Sequence, residues 1–473
     1  MRQKYQFDGM FQRAAPDLPF RYLPFEVPPG TKRIDVSYHF TRAELAQPEW
    51  GADDVVDIGI FDQRGTDMFA EGFRGWSGSS RRNFFITPSE ATPGYIRGAI
   101  APGTWNIFLG CRIINSEGMP YIVHVSLDVD QNTSGEVNTS NDPRGYTVAA
   151  PATGGRHKWY KGDFHSHTVH SDGYNTIDEY AEAAERLGLD FLAITDHNTW
   201  SHFEEIANRK PVGAFLIPGE EVTTFWGHAN VWGLGTWVDF RATDGAAMTR
   251  TIDWVHERGG LFSPNHPKQG WPWEFAGAEG FRVTEAWQGV WRFFNDESLA
   301  FWEERLRKGR QLIAVGGSDC HGLSPALQPQ PWPLGTPCTW VYAQEPLSEA
   351  NILDGVRAGH VFVSEDPSGP FLEYTAECAG RSYMTGDTIE APEGTPVTFR
   401  MHYRGPPEKK LRLVRDGELL HETVADKTEA TVEFELPLDR QCYVRAEVRG
   451  WRGRPERGEV VHVLANPIYL RRL

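Results

Sequence analysis

The chain has 473 residues, more than a single hydrophobic core usually spans, so two or three domains are expected. Its net charge of -17 argues against nucleic acid or an anionic membrane as a partner, because both are gripped by clustered Lys and Arg. Pro16, Pro19, Pro24, Pro28 and Pro29 break up the N-terminus as a signal peptide, and no apolar run is long enough to span a bilayer, so a cytoplasmic location is expected.

The first segment alternates apolar and polar residues, as strands with one buried face do: Ile34, Val36, Tyr38 and Phe40, then Val56, Ile58 and Ile60, then Val123, Val125, Leu127 and Val129. Turn clusters such as Gly75 to Ser80 separate these runs, which predicts a β-sandwich over 1–150. The stretch 131–155, rich in Asn, Ser, Thr, Gly and Pro, reads as a linker, and it contains the sequons at Asn132 and Asn138, which carry little meaning without secretion.

From Trp159 strands alternate with helices. Thr176 and Glu179 form a capping box ahead of an amphipathic helix that Gly188 stops, and the strand Phe191 to Ile194 follows. Further strands are predicted at Ala214 to Ile217, Ala229 to Leu234, Leu261 to Ser263, Arg282 to Trp287 and Leu312 to Val315. Helices are predicted at Thr249 to Arg258, Ser298 to Lys308 and Ala350 to Ala358, with a last strand at Val361. After about Pro367 alternation returns, and Asp416-Gly417 between Leu411-Arg-Leu-Val and Leu419-Leu420 is a strong hairpin signal. A second β-sandwich, Ig-like, is expected over 367–473.

Ten of the sixteen histidines fall between His157 and His321, and several follow predicted strands beside Asp or Glu. In His165-Ser-His167 two imidazoles two residues apart at a strand end lie on one side and can grip one metal. Ser171-Asp172-Gly173, Thr195-Asp196-His197-Asn198, Gly219-Glu220-Glu221, Gly227-His228, Asn265-His266-Pro267 and Gly317-Ser318-Asp319-Cys320-His321 follow in order. Strand C-termini are where α/β barrels carry metal-binding and catalytic groups. His157, His170, His202, His256 and His360 read as packing histidines, and Asp163 and Asp196 as carboxylates that could orient imidazoles. Five scattered cysteines, Cys111, Cys320, Cys338, Cys378 and Cys442, without a C-x-x-C pair, suggest neither a disulfide framework nor a zinc knuckle.

The H-x-H-T with S-D-G, the I-T-D-H-N, the G-E-E-V-T-T followed by G-H, the N-H-P and the G-S-D-x-H resemble the PHP (polymerase and histidinol phosphatase) superfamily. Within it they resemble the CehA/McbA-like metallohydrolases. The resemblance covers roughly residues 158–364 and implies a distorted (β/α)7 barrel over 151–366, giving a multidomain α/β plus β chain flanked by the two sandwiches. It implies two or three divalent ions, zinc, manganese or iron. His165, His167, Glu221 and Asp319 would hold one, Glu221 would bridge to a second on His228 and His266, and Asp172, His197 and His321 would hold a third. Cys320 stands where a small residue is usual and reads as a buried filler.

Water between two divalent cations loses a proton near neutral pH, so no serine or cysteine nucleophile is needed. Candidate catalytic residues are Asp319, as a proton shuttle to the leaving group, His197, and Arg292, which with Lys268 could hold a substrate anion. Trp226, Trp271, Trp273, Trp287 and Trp291 hint at an aromatic pocket, and Trp76 at a sugar-stacking platform. The expected activity is phosphoester hydrolysis of a small molecule. Hydrolysis of a carboxylic or aryl carbamate ester is the competing chemistry, and a non-catalytic, metal-stabilised binding protein the competing class.

Overall fold

Alternating burial along the N-terminal strands builds two facing sheets. The strands are β1 (Arg2–Phe11), β2 (Phe20–Val27), β3 (Thr31–Phe40), β4 (Asp57–Phe61), β5 (Phe73–Gly78), β6 (Asn83–Ile86), β7 (Gly103–Gly110) and β8 (Met119–Val129). They pair antiparallel as β1-β8-β3-β6 and β2-β7-β4-β5. Ile34, Val36 and Tyr38 of the first sheet share one core with Ile58, Ile60, Trp105 and Ile107 of the second, which makes the segment a β-sandwich. This computed structural model describes residues 1–12, 19–40, 55–111, 118–131, 146, 154–326, 332–452 and 458–473. The expected linker lies mostly outside the described residues, as do both sequons.

The central segment runs β9 (His157–Asp163), α1 (Ile177–Arg186), β10 (Phe191–Ile194), α2 (Phe203–Asn208), β11 (Phe215–Thr224), β12 (Gly227–Trp232), α3 (Gly245–Glu257), β13 (Leu261–Pro264), β14 (Val283–Gln288), α4 (Asn295–Arg307), β15 (Ile313–Gly317), β16 (Cys338–Gln344), α5 (Glu349–Arg357) and β17 (Val361–Ser364). The capping box forms as the sequence predicts: Thr176 Oγ1 accepts from Glu179 N, and Glu179 Oε2 accepts from Thr176 N. Asp244 caps α3 in the same way through Ala247 N.

The strand pairing departs from a regular (β/α)7 barrel. β9, β10 and β11 are parallel, but β11 turns directly into antiparallel β12, and β13, reached through α3, pairs antiparallel with β12, so a hairpin joins β11 and β12 where a (β/α)7 barrel would carry a helical crossover. β14 and β15 pair only with each other, and β16 runs antiparallel to β9. The described pairing is therefore an open mixed sheet plus a two-stranded one, with few helices, rather than one closed ring.

The last segment comprises β18 (Phe371–Cys378), β19 (Arg381–Met384), β20 (Thr388–Ala391), β21 (Pro396–Arg404), β22 (Lys409–Arg415), β23 (Glu418–Ala425), β24 (Glu429–Pro437), β25 (Cys442–Trp451), β26 (Glu459–Ala465) and β27 (Ile468–Arg472). Asp416 and Gly417, at φ 51° and 85°, make the tight turn between β22 and β23 that the sequence signals. β19-β18-β21-β24 form one sheet, and the other joins the central domain, because β26 pairs with β17. Among the described residues no helix is long and apolar enough to cross a membrane.

Candidate metal centre

The ends of the central strands converge on one buried cluster. His165 and His167 follow β9, Asp172 lies on the next loop, His197 follows β10, Glu221 lies in β11 and His228 in β12, His266 follows β13, and Asp319 and His321 follow β15. Short bridges between Ser166 and Cys320 and between His197 and Glu221 tie these strand ends together. All nine residues expected as ligands therefore meet. Asn198, His266 and Asp319 adopt positive φ values of 53°, 31° and 57°, a conformation that side chains avoid unless their surroundings impose it, and one that clusters at functional sites. Gly317 is needed for close approach, since a Cβ there would lie 2.4 Å from His165 Cβ and 2.9 Å from Glu285 Oε1. Gly173 has the same role against the His167 carbonyl, 2.2 Å from where its Cβ would stand.

Ligand-type atoms fall into overlapping groups, each within 4.8 Å: His165, His167, Glu221 and Asp319; Glu221, His228 and His266; and His167, Asp172, His197 and His321. Glu221 is the hub. Its Oε1 lies 3.4 Å from His165 Nε2 and 3.3 Å from both His228 Nδ1 and His266 Nε2, and its Oε2 lies 3.5 Å from His167 Nε2. Asp319 Oδ1 sits 2.9 Å from His167 Nε2 and 3.3 Å from His165 Nε2. Asp172 Oδ1 sits 3.5 Å from His197 Nε2 and 3.4 Å from His321 Nε2.

Burial alone would keep both inner carboxyls neutral, yet the surrounding imidazoles outweigh it and hold Glu221 and Asp319 far below the usual carboxylate range. Burial also opposes charge on His197, but Asp172 and Glu221 raise it to about 9. Burial, His197 and His321 together push His167 down to about 4.

Divalent metal ions fit this donor set. His165 Nε2 and His167 Nε2 face each other at 3.1 Å, a lone-pair clash unless a proton or a cation lies between them. Glu221 Oε2 is 2.7 Å from His197 Nδ1, yet it is a buried oxygen without an aligned hydrogen-bond donor. His167 Nδ1 and His266 Nδ1 are also buried and have no hydrogen-bond partner among the described residues. His and carboxylate donors around a shared Glu are the ligand chemistry of such ions.

Three supporting residues are not singled out by the sequence, although Asn265 stands inside the Asn265-His266-Pro267 motif. Glu285 in β14 lies 2.9 Å from His165 Nδ1 through Oε1, so that Nε2 turns toward the cluster, and its Oε2 accepts from His266 N at 3.0 Å. Asn265 donates to Glu221 Oε1 at 2.9 Å. Gln288 donates to Asp319 Oδ2 at 3.0 Å. For Glu285 and Gln288, polar side chains within or just after the predicted strand are the only sequence trace.

Several expectations are corrected. Arg292 points away from the cluster, and its guanidinium donates to the carbonyls of Arg452 and Gly458 at 3.3 Å. Lys268 is buried and donates to Gln288 and Asn295. Asp319 Oδ1 lies against His167 Nε2, and its Oδ2 accepts from Gln288. Asp196 accepts from Thr168 and Ser171 and so holds the loop before Asp172 rather than a ligand imidazole, whereas Asp163 accepts from the backbones of His165, Ser318 and Gly335. The Cys320 thiol is buried against the Gly322 carbonyl and the Tyr180 hydroxyl. Trp287 and Trp291 are core residues, while Trp271 and Trp332 line the opening above the ligands.

Sequence comparison finds likeness over part of the stretch that carries the cluster. Residues 163–227 match the family described as PHP domain. The chain is 37% identical over 81 residues to the 5'-3' exoribonuclease Rnm of Salmonella typhimurium strain LT2 and, equally, to that of Escherichia coli strain K12. That stretch covers 16% of this chain and spans 27% of the length of those relatives. A two-domain protein from Bacteroides vulgatus ATCC 8482, described as containing a predicted PHP-like metal-dependent phosphoesterase, aligns at a TM-score of 0.37 and 17% identity over 69% of this chain and 98% of its own. One from Bifidobacterium adolescentis ATCC 15703, described as a metal-dependent phosphoesterase, aligns at 0.29 and 18% over 42% and 96%.

Proposed function

We propose that the protein is a metal-dependent phosphoesterase acting on a small phosphate ester. The observation that carries this reading is the Glu221 hub, which offers oxygens to imidazoles from three directions beside a second and third ligand group. Two or three divalent ions held there supply positive charge that activates water and stabilises the charge developing on phosphorus. His165, His167, Glu221 and Asp319 would bind one ion, His228 and His266 with Glu221 a second, and Asp172, His197 and His321 a third. Glu285, Asn265 and Gln288 orient His165, Glu221 and Asp319. Tyr174, Trp271 and Trp332 border the opening.

Those tryptophans also favour a second reading, hydrolysis of an aryl ester or carbamate at the same ions. Protein reconstituted with zinc or manganese is assayed on p-nitrophenyl phosphate, bis-p-nitrophenyl phosphate and an aryl carbamate, with Glu221→Gln as control. Chelator-sensitive phosphate release absent in the variant supports the phosphoesterase. Turnover of the carbamate alone replaces it with the esterase, and no turnover with unchanged melting favours a binding protein.

A further inference from the structure

The ligand cluster opens into a cleft of about 310 Å³ that runs on into a larger one of about 770 Å³, and both share Asp172, Tyr174, His197 and His228. The far wall of the larger cleft does not come from the domain that carries the ligands. It is built by the N-terminal sandwich, from Phe20 at the start of β2, Asp57 at the start of β4, and the stretch Trp76 to Arg81 at the end of β5. The wall is fastened beside the ligands. Arg81 donates to the Val169 carbonyl, Ser80 donates to the Ser171 carbonyl at 3.2 Å, and Thr199 donates to the Gly94 carbonyl at 3.0 Å. Val169 and Ser171 flank the turn that presents Asp172, so the sandwich is a fixed part of the cleft.

Asp57 is the anomaly in this wall. It is half-buried and faces the cleft, and among the described residues none gives its carboxylate a hydrogen bond or a close ion pair. Gly78 of β5, paired with the neighbouring Ile58, stands beside it: a Cβ there would touch Asp57 Oδ1 at 3.7 Å. A carboxylate left without a protein partner at a cleft wall keeps its acceptor oxygens available to donors that a ligand supplies. Burial pushes this carboxyl up to about 7, with His197 pulling the other way. Around it the cleft mixes hydrogen-bonding and aromatic surface: Ser79 and Asn198 stand with Phe20, Phe225 and Tyr174. Trp76 is only 4% exposed and packs against Phe108 and Phe240, so it closes the floor and is not a stacking platform. A carboxylate that can accept two adjacent hydroxyls, beside aromatic faces that can cover C–H groups, suits a sugar or polyol better than an aryl or alkyl body.

We propose that Asp57 of the N-terminal sandwich binds hydroxyls of the substrate's alcohol portion, so that the enzyme prefers phosphate esters of sugars or polyols. The sandwich thereby sets specificity for ions held by another domain. The preference for phosphate esters rests on the phosphoesterase reading; the hydroxyl contact does not.

The test uses metal-loaded full-length protein and two readouts: binding of ribose 5-phosphate, followed by tryptophan fluorescence, and kcat/KM for ribose 5-phosphate relative to p-nitrophenyl phosphate. In Asp57→Ala binding weakens, and the kcat/KM ratio falls, by roughly tenfold to a hundredfold, as for a lost hydrogen bond to a charged group. Asp57→Asn, which keeps the volume, falls less, and it carries the test if the alanine variant melts early. Wild-type protein that hydrolyses p-nitrophenyl phosphate but fails to bind the sugar phosphate overturns this inference alone. So does a kcat/KM ratio within twofold of wild type in both variants, or better turnover of phosphoethanolamine than of ribose 5-phosphate. Asp57-dependent binding without phosphate release from any compound upholds the contact and overturns the phosphoesterase instead.

Discussion

Gln288 donates its side-chain amide to Asp319 Oδ2 at 3.0 Å, and Lys268 decides which way that amide faces. The buried Lys268 ammonium lies 2.5 Å from Gln288 Oε1 and 3.3 Å from Asn295 Oδ1. The Gln288 oxygen must meet the ammonium, so its N–H groups turn toward Asp319 and leave Asp319 Oδ1 to the His165 and His167 side.

Gln288→Leu should therefore weaken metal binding by roughly 10-fold to 100-fold, and Lys268→Met by a similar factor, although neither residue is a ligand. Competition with a fluorescent chelator reads the affinity directly. Unchanged affinity in both variants would show that Asp319 needs no such support.

The ligand groups differ in what they share. Glu221 belongs to two of them, whereas His321 belongs to one. Glu221→Gln should lose more than one ion per chain and His321→Ala a single ion, with elemental analysis of dialysed protein as the readout. Equal losses would contradict the shared-Glu arrangement.

A buried network pins α4 to the last sheet. Arg445 Nη2 lies 2.7 Å from Glu303 Oε2, its Nη1 lies 2.7 Å from Glu447 Oε2, and Tyr443 donates to Glu303. Arg445→Met leaves Glu303 buried without its cation and Glu447 with Arg449 as its nearest cation, and should cost about 3–5 kcal/mol, seen as a lower melting temperature. Burial would raise the Glu447 carboxyl, but Arg445 and Arg449 outweigh it and hold it down to about 2, below its ordinary 4.5. The folded state thus binds that proton less readily than the unfolded chain. The stabilisation is full above pH 4.5 and disappears as pH falls from 4.5 toward 2. Glu447→Gln should flatten the acid limb of melting temperature against pH by the equivalent of roughly 2–3 kcal/mol. An unchanged acid limb would remove Glu447 from the account.

What the sequence made legible is local. His165-Ser-His167, Asp319 with His321 and the Asp416-Gly417 hairpin are each defined within a few residues by strand periodicity and turn chemistry, and each forms as expected. What stayed hidden depends on partners distant in the chain. Glu285 and Gln288 sit in β14 with no motif, and their roles appear only when β14 lies beside β15. Asp57 reaches the cleft because one domain packs on another, which no period in the sequence encodes. Arg292 misled for the same reason: it follows a strand end, but a carbonyl pair from the last domain captures it. The missing crossover between β11 and β12 follows from the short connection Phe225-Trp226, too short for a helix.

The most direct test is to strip the protein with a chelator, confirm by circular dichroism that it stays folded, and titrate manganese or zinc back while following phosphate release from p-nitrophenyl phosphate. The account predicts no release without metal and recovery that saturates at two or three equivalents per chain. Release that persists in fully stripped protein, or that never returns with metal bound at His165, Glu221 and Asp319, would contradict it.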